Sequence, residues 1–121
     1  MEKECTIYKT ADFIGKKWTL LILLEIYKGN NKIRYSKIKK NLPSITPKIL
    51  SSRLKELTKE GLINKQIFAE TSPIRSEYSL TDAGSAFIQI IQDMKAWALE
   101  WKFKNKECSK KDCNECLMDC L

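Results

Sequence analysis

The clearest hydrophobic pattern along the chain lies in residues 46–61, which read TPKILSSRLKELTKEG. Leu50, Leu54 and Leu57 recur at steps of four and three residues, so they fall on one narrow stripe of an α-helix. Such a stripe is typical of a helix that packs one side against a core and leaves the other side in water. The pattern therefore predicts an amphipathic helix over this segment.

The ends and the polar face of this helix also follow from the sequence. Thr46 is a favourable N-cap residue, Pro47 suits the first helical position, and Gly61 can adopt the left-handed conformation that ends a helix. Opposite the leucines lies a thin polar face that a polyanion could approach closely. That face consists of Lys48, Ser51, Ser52, Lys55 and Lys59.

The segments before this helix complete a helical N-terminal half. Residues 6–14 predict a short first helix, and residues 16–28 predict a second helix that is apolar nearly all round and therefore central and buried. Residues 33–35 are consistent with a very short strand, after which Ser36 can cap a short helix over 37–41. Two short helices with a tight connector, the second of them basic, predict a helix-turn-helix.

Beyond this motif the hydrophobic period changes from 3.6 to two. Residues 62–69 and 76–80 predict the two strands of a β-hairpin, with Arg75 beside its tip. A basic hairpin directly after a recognition-type helix is typical of the wing of a winged-helix domain. The predicted fold class is therefore mainly α with a small β-hairpin wing (α+β), a winged helix-turn-helix.

The last predicted helix is long, with Thr81 as its cap and its end near Phe103. Its apolar seam is wider than one small domain needs. The seam could pack on its own domain, but aromatic residues and Met are enriched at interfaces, and DNA readers commonly pair across two half-sites. We therefore expect a homodimer formed through the terminal helices, with an interface of Phe87, Ile91, Met94, Trp97 and Trp101.

Length and charge narrow the class of protein. The 121 residues suffice for one domain with a modest core, and no apolar run reaches the length of about 18 residues that a membrane span requires. The N-terminus lacks the apolar segment of a signal peptide, so we expect a cytoplasmic protein without membrane contact. Residues 32–65 hold ten Lys and Arg against two Glu, and this localised charge of +8 indicates a nucleic-acid partner.

The amino-acid composition gives little support for a catalytic function. The chain contains no histidine, and therefore lacks both the commonest general base and the commonest nitrogen ligand of metals. We find no glycine-rich phosphate loop and no pairing of a nucleophile with a base. The sequence therefore predicts that the protein is not an enzyme.

The C-terminal tail carries an unexpected cysteine cluster. Residues 1–104 are predicted to form the winged-helix DNA-binding and dimerisation domain, and residues 105–121 a cysteine-rich tail. An iron–sulfur cluster fits the C-x4-C-x2-C part of the spacing. A zinc site with four cysteine ligands is the alternative, and redox-active thiols without metal are a third interpretation. The predicted ligands are Cys108, Cys113, Cys116 and Cys120.

Several segments of the chain together resemble one known family. Residues 14–23, IGKKWTLLIL, resemble the GKWTLLIL signature of HxlR-type regulators, a MarR-like branch of the winged-helix transcription factors. The resemblance covers roughly residues 5–101, in order. It is specific because no single motif carries it alone. The other matching segments are residues 34–36, 42–50, 53–57, 61–63 and 75–84.

The resemblance implies a homodimer that binds double-stranded operator DNA, with the helix at residues 47–60 in the major groove and Arg75 near the minor groove. Cys5 matches an N-terminal cysteine that senses oxidants or electrophiles in some members, although Thr6 stands where a proline often follows. Such a cysteine could form a reversible disulfide with a tail cysteine of the partner subunit, or simply pack against the first helix. The predicted DNA-contacting residues are Arg34, Ser36, Thr46, Lys48, Ser51, Ser52, Lys55, Lys59 and Arg75.

Two functions follow from these observations. The first is a sequence-specific DNA-binding transcriptional regulator that responds to redox state or metal through Cys5, the tail cluster or both. The second is an iron–sulfur or redox protein that uses a winged-helix scaffold for protein contacts. The localised positive charge favours the first.

Overall fold

A helix that is apolar around most of its circumference forms the centre of the structure. The structure is a computed structural model that describes residues 4–70, 72–104 and 109. Within these residues the chain forms five helices and one three-stranded antiparallel sheet of order β1-β3-β2, which confirms the predicted fold class. The elements are α1 Thr6–Ile14, α2 Thr19–Lys28, β1 Lys32–Arg34, α3 Tyr35–Asn41, α4 Pro47–Lys59, β2 Ile63–Phe68, β3 Arg75–Leu80 and α5 Asp82–Trp101.

Helix α2 is the central, buried element that its composition predicts. Its Ile22, Leu23 and Ile26 side chains are fully buried. The helix begins three residues later than predicted, because the Thr19 N–H donates to the Lys16 carbonyl three residues back and closes a turn before the regular helix. No described helix combines the length and the apolarity that crossing a membrane requires.

One buried carboxylate links α2 to α3. Glu25 on α2 is only 2% exposed, and its Oε1 accepts a hydrogen bond of 2.9 Å from the Asn41 side-chain amide at the end of α3. Its Oε2 accepts from Lys28 Nζ at 3.2 Å. A buried charge requires such partners, so this cluster fixes the two helices relative to each other.

The recognition-type helix α4 begins and ends as predicted. The Thr46 hydroxyl accepts a hydrogen bond from the Ile49 N–H at 3.2 Å, and Pro47 occupies the first helical position. Gly61 follows the last turn with φ +83°, a conformation that favours glycine. Leu50, Leu54 and Leu57 are 0–1% exposed, which confirms the predicted inward face.

The start of α3 differs from the prediction. The helix begins at Tyr35, one residue before the predicted cap at Ser36. Arg34 is the last residue of β1 and keeps an extended backbone, so the chain passes directly from strand to helix without a side-chain cap. Ser36 therefore lies inside the first turn rather than before it.

The predicted hairpin is present, and its second strand also pairs with β1. Strands β2 and β3 are antiparallel, with Ile63 opposite Leu80 at one end and Phe68 opposite Arg75 at the other. On the other side of β3, Ile33 of β1 lies opposite Tyr78. The short strand before the helix-turn-helix thus ties that motif to the wing.

Helix α5 begins at a tightly packed junction. The Thr81 hydroxyl accepts from the Gly84 N–H at 3.1 Å and donates to the Gly61 carbonyl at 2.6 Å, so one side chain caps α5 and also binds the end of the recognition-helix segment. At Gly84 a Cβ atom would lie 2.0 Å from the Leu62 carbonyl oxygen. The helix ends at Trp101, two residues before the predicted end.

We predict that Gly84→Ala lowers the free energy of unfolding by about 3 kcal/mol, because the added methyl group overlaps the Leu62 carbonyl, which accepts a hydrogen bond from the Thr81 N–H. The matched substitution Ser85→Ala on the adjacent exposed position should change it by about 0.5 kcal/mol or less. Chemical denaturation followed by circular dichroism measures both. Equal stabilities of the two variants would contradict the close approach at Gly84.

Candidate DNA-binding surface

The outer face of α4 is a continuous exposed polar surface. Every residue predicted for this face is exposed, whereas the leucines on the opposite side are fully buried. The core therefore holds the helix in one rotational setting, with its lysines and serines directed towards water. The five side chains on this face are Lys48, Ser51, Ser52, Lys55 and Lys59.

On the flank of α4, the helix's arginine, Arg53, belongs to an ion-pair network. Glu56 Oε1 lies 3.4 Å from Arg53 Nη1, and Glu56 Oε2 lies 2.7 Å from Lys16 Nζ in the turn before α2. All three side chains are partly buried. The network joins α4 to the N-terminal helices, and sequence reasoning did not identify it because Lys16 and Glu56 are forty residues apart.

The start of α3 lies beside the polar face of α4. The Tyr35 hydroxyl is 3.4 Å from the Ser51 hydroxyl, so the two helices of the motif meet through exposed polar groups. Arg34 and Ser36, which flank Tyr35, are exposed. Thr46 is also exposed, but its hydroxyl already accepts the capping hydrogen bond of α4. Contact of these residues with DNA stays a prediction.

Arg75 is held against the wing. Its guanidinium carbon lies 4.6 Å from the centre of the Phe68 ring, and its side chain is 35% exposed. Its Nε is 3.8 Å from Glu77 Oε2, while Lys32 Nζ lies 3.3 Å from Glu77 Oε1. Phe68 and Glu77 were not among the predicted site residues. Phe68 lies opposite Arg75 across the hairpin, and Glu77 lies two residues after Arg75 on the same strand.

A cleft separates the start of α3 from the wing loop. It is lined by residues 34–36 on one side and 72–76 on the other, and its volume is about 360 Å³. Three of the predicted DNA-contacting residues line this cleft. They are Arg34, Ser36 and Arg75.

Tyr78 is a packing residue between the sheet and the helices. Its side chain is 5% exposed, and burial raises the pKa of its phenol above the ordinary value of 10.0, with the nearby Tyr35 adding to the rise. Lys65 Nζ lies 5.9 Å from the centre of its ring. The phenol therefore keeps its proton at physiological pH, and the sheet remains uncharged at this position.

The predicted dimer seam on α5 divides into two faces. Ile91 is 3% exposed within the subunit, so the prediction that it lies in the interface is wrong: its side chain belongs to the subunit core. Phe87 is half-buried against the same core. A separate exposed apolar stripe is formed by the remaining three predicted residues, Met94, Trp97 and Trp101, together with Ile90. The exposed side chains of this stripe are Ile90 (55%), Met94 (48%), Trp97 (57%) and Trp101 (67%).

The cysteines divide between described and undescribed parts of the chain. Cys5 is half-buried at the N-cap of α1 and is a free thiol. The four predicted metal ligands, Cys108, Cys113, Cys116 and Cys120, lie outside the described residues. Within the described part, no group of three or more acidic or cysteine side chains is arranged to hold a metal ion. The metal site therefore stays a prediction from the sequence.

Comparison with known proteins identifies related regulators. YvaP, an HTH-type transcriptional regulator of Bacillus subtilis (strain 168), is 41% identical over 93 residues, covering 77% of this chain and 83% of YvaP. A crystal structure of a MarR-family transcriptional regulator from Porphyromonas gingivalis W83 superposes with a TM-score of 0.72 at 36% identity, covering 84% of this chain and 96% of that one.

A third similar protein has been solved in several chemical states. The reduced form of the transcriptional regulator YodB from Bacillus subtilis has a TM-score of 0.70 at 29% identity, over 84% of this chain and 98% of YodB. YodB is also known in diamide-treated and quinone-bound forms. The sequence profile of the HxlR-like helix-turn-helix family matches residues 13–106, and with these relatives it shows that the chain belongs to that family of DNA-binding transcriptional regulators.

Proposed function

We propose that this regulator recognises a specific operator through the exposed face of α4. The observation that carries the proposal is the fixed rotational setting of this helix, whose three leucines are buried while three lysines and two serines are exposed. Serine hydroxyls are short enough to approach base edges, and lysines bind phosphates as mobile point charges. The face therefore combines groups suited to reading bases with groups suited to holding the backbone.

The exposed stripe on α5 supports a homodimer. Monomeric proteins rarely leave several large apolar side chains exposed together, and two tryptophans lie in this stripe. A two-fold pairing through α5 presents two copies of α4 to the DNA. Two-fold operators with half-sites one helical turn apart are the usual counterpart of such a dimer.

The cysteines supply a route for regulation. Cys5 has a free thiol at the start of α1, and in YodB, a relative of similar fold, reduced, diamide-treated and quinone-bound states are distinguished. If Cys5 pairs with a second cysteine, two thiols release two protons and two electrons to an oxidant such as a peroxide or quinone. The proposal is that this exchange changes DNA binding.

The tail cluster is a second route and the site of a proposed metal. Four thiolates within 13 residues form a donor set that suits an iron–sulfur cluster, with zinc as the alternative. The ligands would be Cys108, Cys113, Cys116 and Cys120, which follow α5 directly. Metal binding next to the proposed dimer helix could alter the spacing of the two recognition helices.

We predict different effects for two residues on the α4 face. Ser52→Ala should alter base preference, with a loss of about 1–3 kcal/mol for each base contact that is removed. Lys59→Ala should weaken binding to all duplexes alike and flatten the slope of log affinity against log salt by about one unit. Operator sequences selected from a random duplex library, followed by titrations across salt concentrations, measure both effects.

The matched control is Lys59→Arg, which keeps the charge and should keep the salt slope. If the two alanine variants bound the selected operator like the unmodified protein at every salt concentration, the assignment of this face would be wrong.

We predict that Trp97→Ala weakens the dimer while the subunit remains folded, because the side chain is 57% exposed in the subunit and aromatic anchors dominate interfaces. Trp97→Phe, which keeps an aromatic ring, should retain more of the dimer. Sedimentation velocity gives the oligomeric state, and circular dichroism checks the fold. A monomeric unmodified protein at micromolar concentration would contradict the proposed assembly.

We predict that Cys113→Ser or Cys116→Ser removes the metal from the tail and changes DNA affinity without unfolding the winged helix, because each substitution removes one thiolate ligand. The measurement compares DNA affinity, metal content and visible absorbance for protein prepared without oxygen, then oxidised, then treated with chelator.

Three outcomes distinguish regulation through an iron–sulfur cluster, through zinc and through the N-terminal thiol. Loss of a visible absorption band on chelation indicates iron–sulfur, whereas bound zinc without such a band indicates the alternative site. A response to oxidation that Cys5→Ser abolishes assigns the signal to the N-terminal thiol. Equal DNA affinity in all three states would contradict regulation through the cysteines.

A further inference from the structure

The wing loop exposes a large apolar side chain next to its basic residue. Ile74, immediately before Arg75, is 67% exposed. The subunit core gains little from a side chain in this position, and the residue does not belong to the apolar stripe of α5. Its side chain is therefore available for contact with a partner.

Ile74 lines the cleft between the wing loop and the start of α3. Arg34 and Arg75 are the charged residues of this cleft, and Ser36 adds a hydroxyl. None of the described residues that line the cleft is acidic. The cleft therefore combines positive charge, a hydrogen-bonding group and an apolar surface within about 360 Å³.

A sugar–phosphate strand has the complementary chemistry. Its phosphates are anionic and accept hydrogen bonds from arginine and serine, while the C–H groups of each deoxyribose present an apolar surface between successive phosphates. Apolar side chains also contact the walls and base steps of the minor groove in other DNA-binding proteins. A sugar–phosphate strand in this cleft would contact the positively charged surface through its phosphates and the apolar surface through its deoxyribose groups.

The position of Arg75 separates its role from that of Ile74. The Arg75 guanidinium stacks on Phe68 and faces Glu77, so its charge is held in one place at the edge of the cleft. Ile74 extends from the neighbouring position with most of its surface in water. Phosphate contact by arginine depends on salt, whereas burial of an apolar side chain is nearly independent of it.

We propose that this cleft seats one sugar–phosphate strand beside the minor groove, and that Ile74 packs against its deoxyribose groups and supplies affinity that salt does not screen. This inference rests on the proposed DNA-binding function and names a further residue for it. It predicts that the cleft makes two separable contributions to the binding free energy, a salt-dependent one from Arg34 and Arg75 and a salt-independent one from Ile74.

The test titrates a fluorescent random-sequence duplex with the full chain at several salt concentrations. Ile74→Ala should weaken binding about tenfold at every salt concentration and leave the salt slope unchanged. Ile74→Leu, with a side chain of similar size, should retain the affinity. Arg34→Ala should instead flatten the slope by about one unit.

Isotope-labelled isoleucine methyl groups give an independent measurement. The Ile74 methyl resonance should shift when the duplex is added, while that of Ile7 on α1, which is 75% exposed, should stay in place. Unchanged affinity of Ile74→Ala, or an unshifted Ile74 resonance in a protein that binds the duplex, would overturn the inference and leave the DNA-binding function standing. A protein that binds no duplex at all would overturn both.

Discussion

Burial of the leucine stripe of α4 is the constraint on which the proposed DNA-binding surface depends. Leu50, Leu54 and Leu57 are 0–1% exposed, and burying each contributes about 1.5–3 kcal/mol relative to leaving it in water. Rotating the helix to direct other residues outward would expose these side chains. The same interaction that stabilises the fold therefore determines which lysines and serines face the solvent.

Local interactions at the ends of α4 keep the helix in register along its axis. The Thr46 cap and Gly61 define its ends, and Thr81 joins the Gly61 carbonyl to the first turn of α5. On the flank, Glu56 links the helix to Lys16 before α2. A change in the position of α5, or of the turn between α1 and α2, would thus reach α4 through short contacts.

Much of this arrangement could be predicted from the sequence because it depends on local chemistry. Helical periodicity and the capping residues of α4 and α5 depend only on residues that are close together in the sequence. The predicted ends of α4 are confirmed. Pairing of β1 with β3 is not local, since residues 32–34 and 77–79 join across the helix-turn-helix. The stacking of Arg75 on Phe68 depends on hairpin register in the same way.

The α5 seam shows a different limit. Positions 90 and 91 are both isoleucine, and only the rotational setting of the helix on the core decides that Ile91 is buried and Ile90 exposed. When apolar residues cover more than half of the circumference of a helix, the sequence pattern does not determine which side of the helix packs on the core. The four tail cysteines lie outside the described residues, and their proposed chemistry rests on the sequence spacing alone.

Lysine acetylation of the protein with and without duplex DNA tests the central claim most directly. Lysines in contact with phosphates lose reactivity, and peptide mass spectrometry measures each one separately. We predict that DNA protects Lys48, Lys55 and Lys59 on α4, while Lys9 on α1 retains its reactivity. Protection of Lys9 with unchanged reactivity at the three α4 lysines would contradict the proposed recognition face.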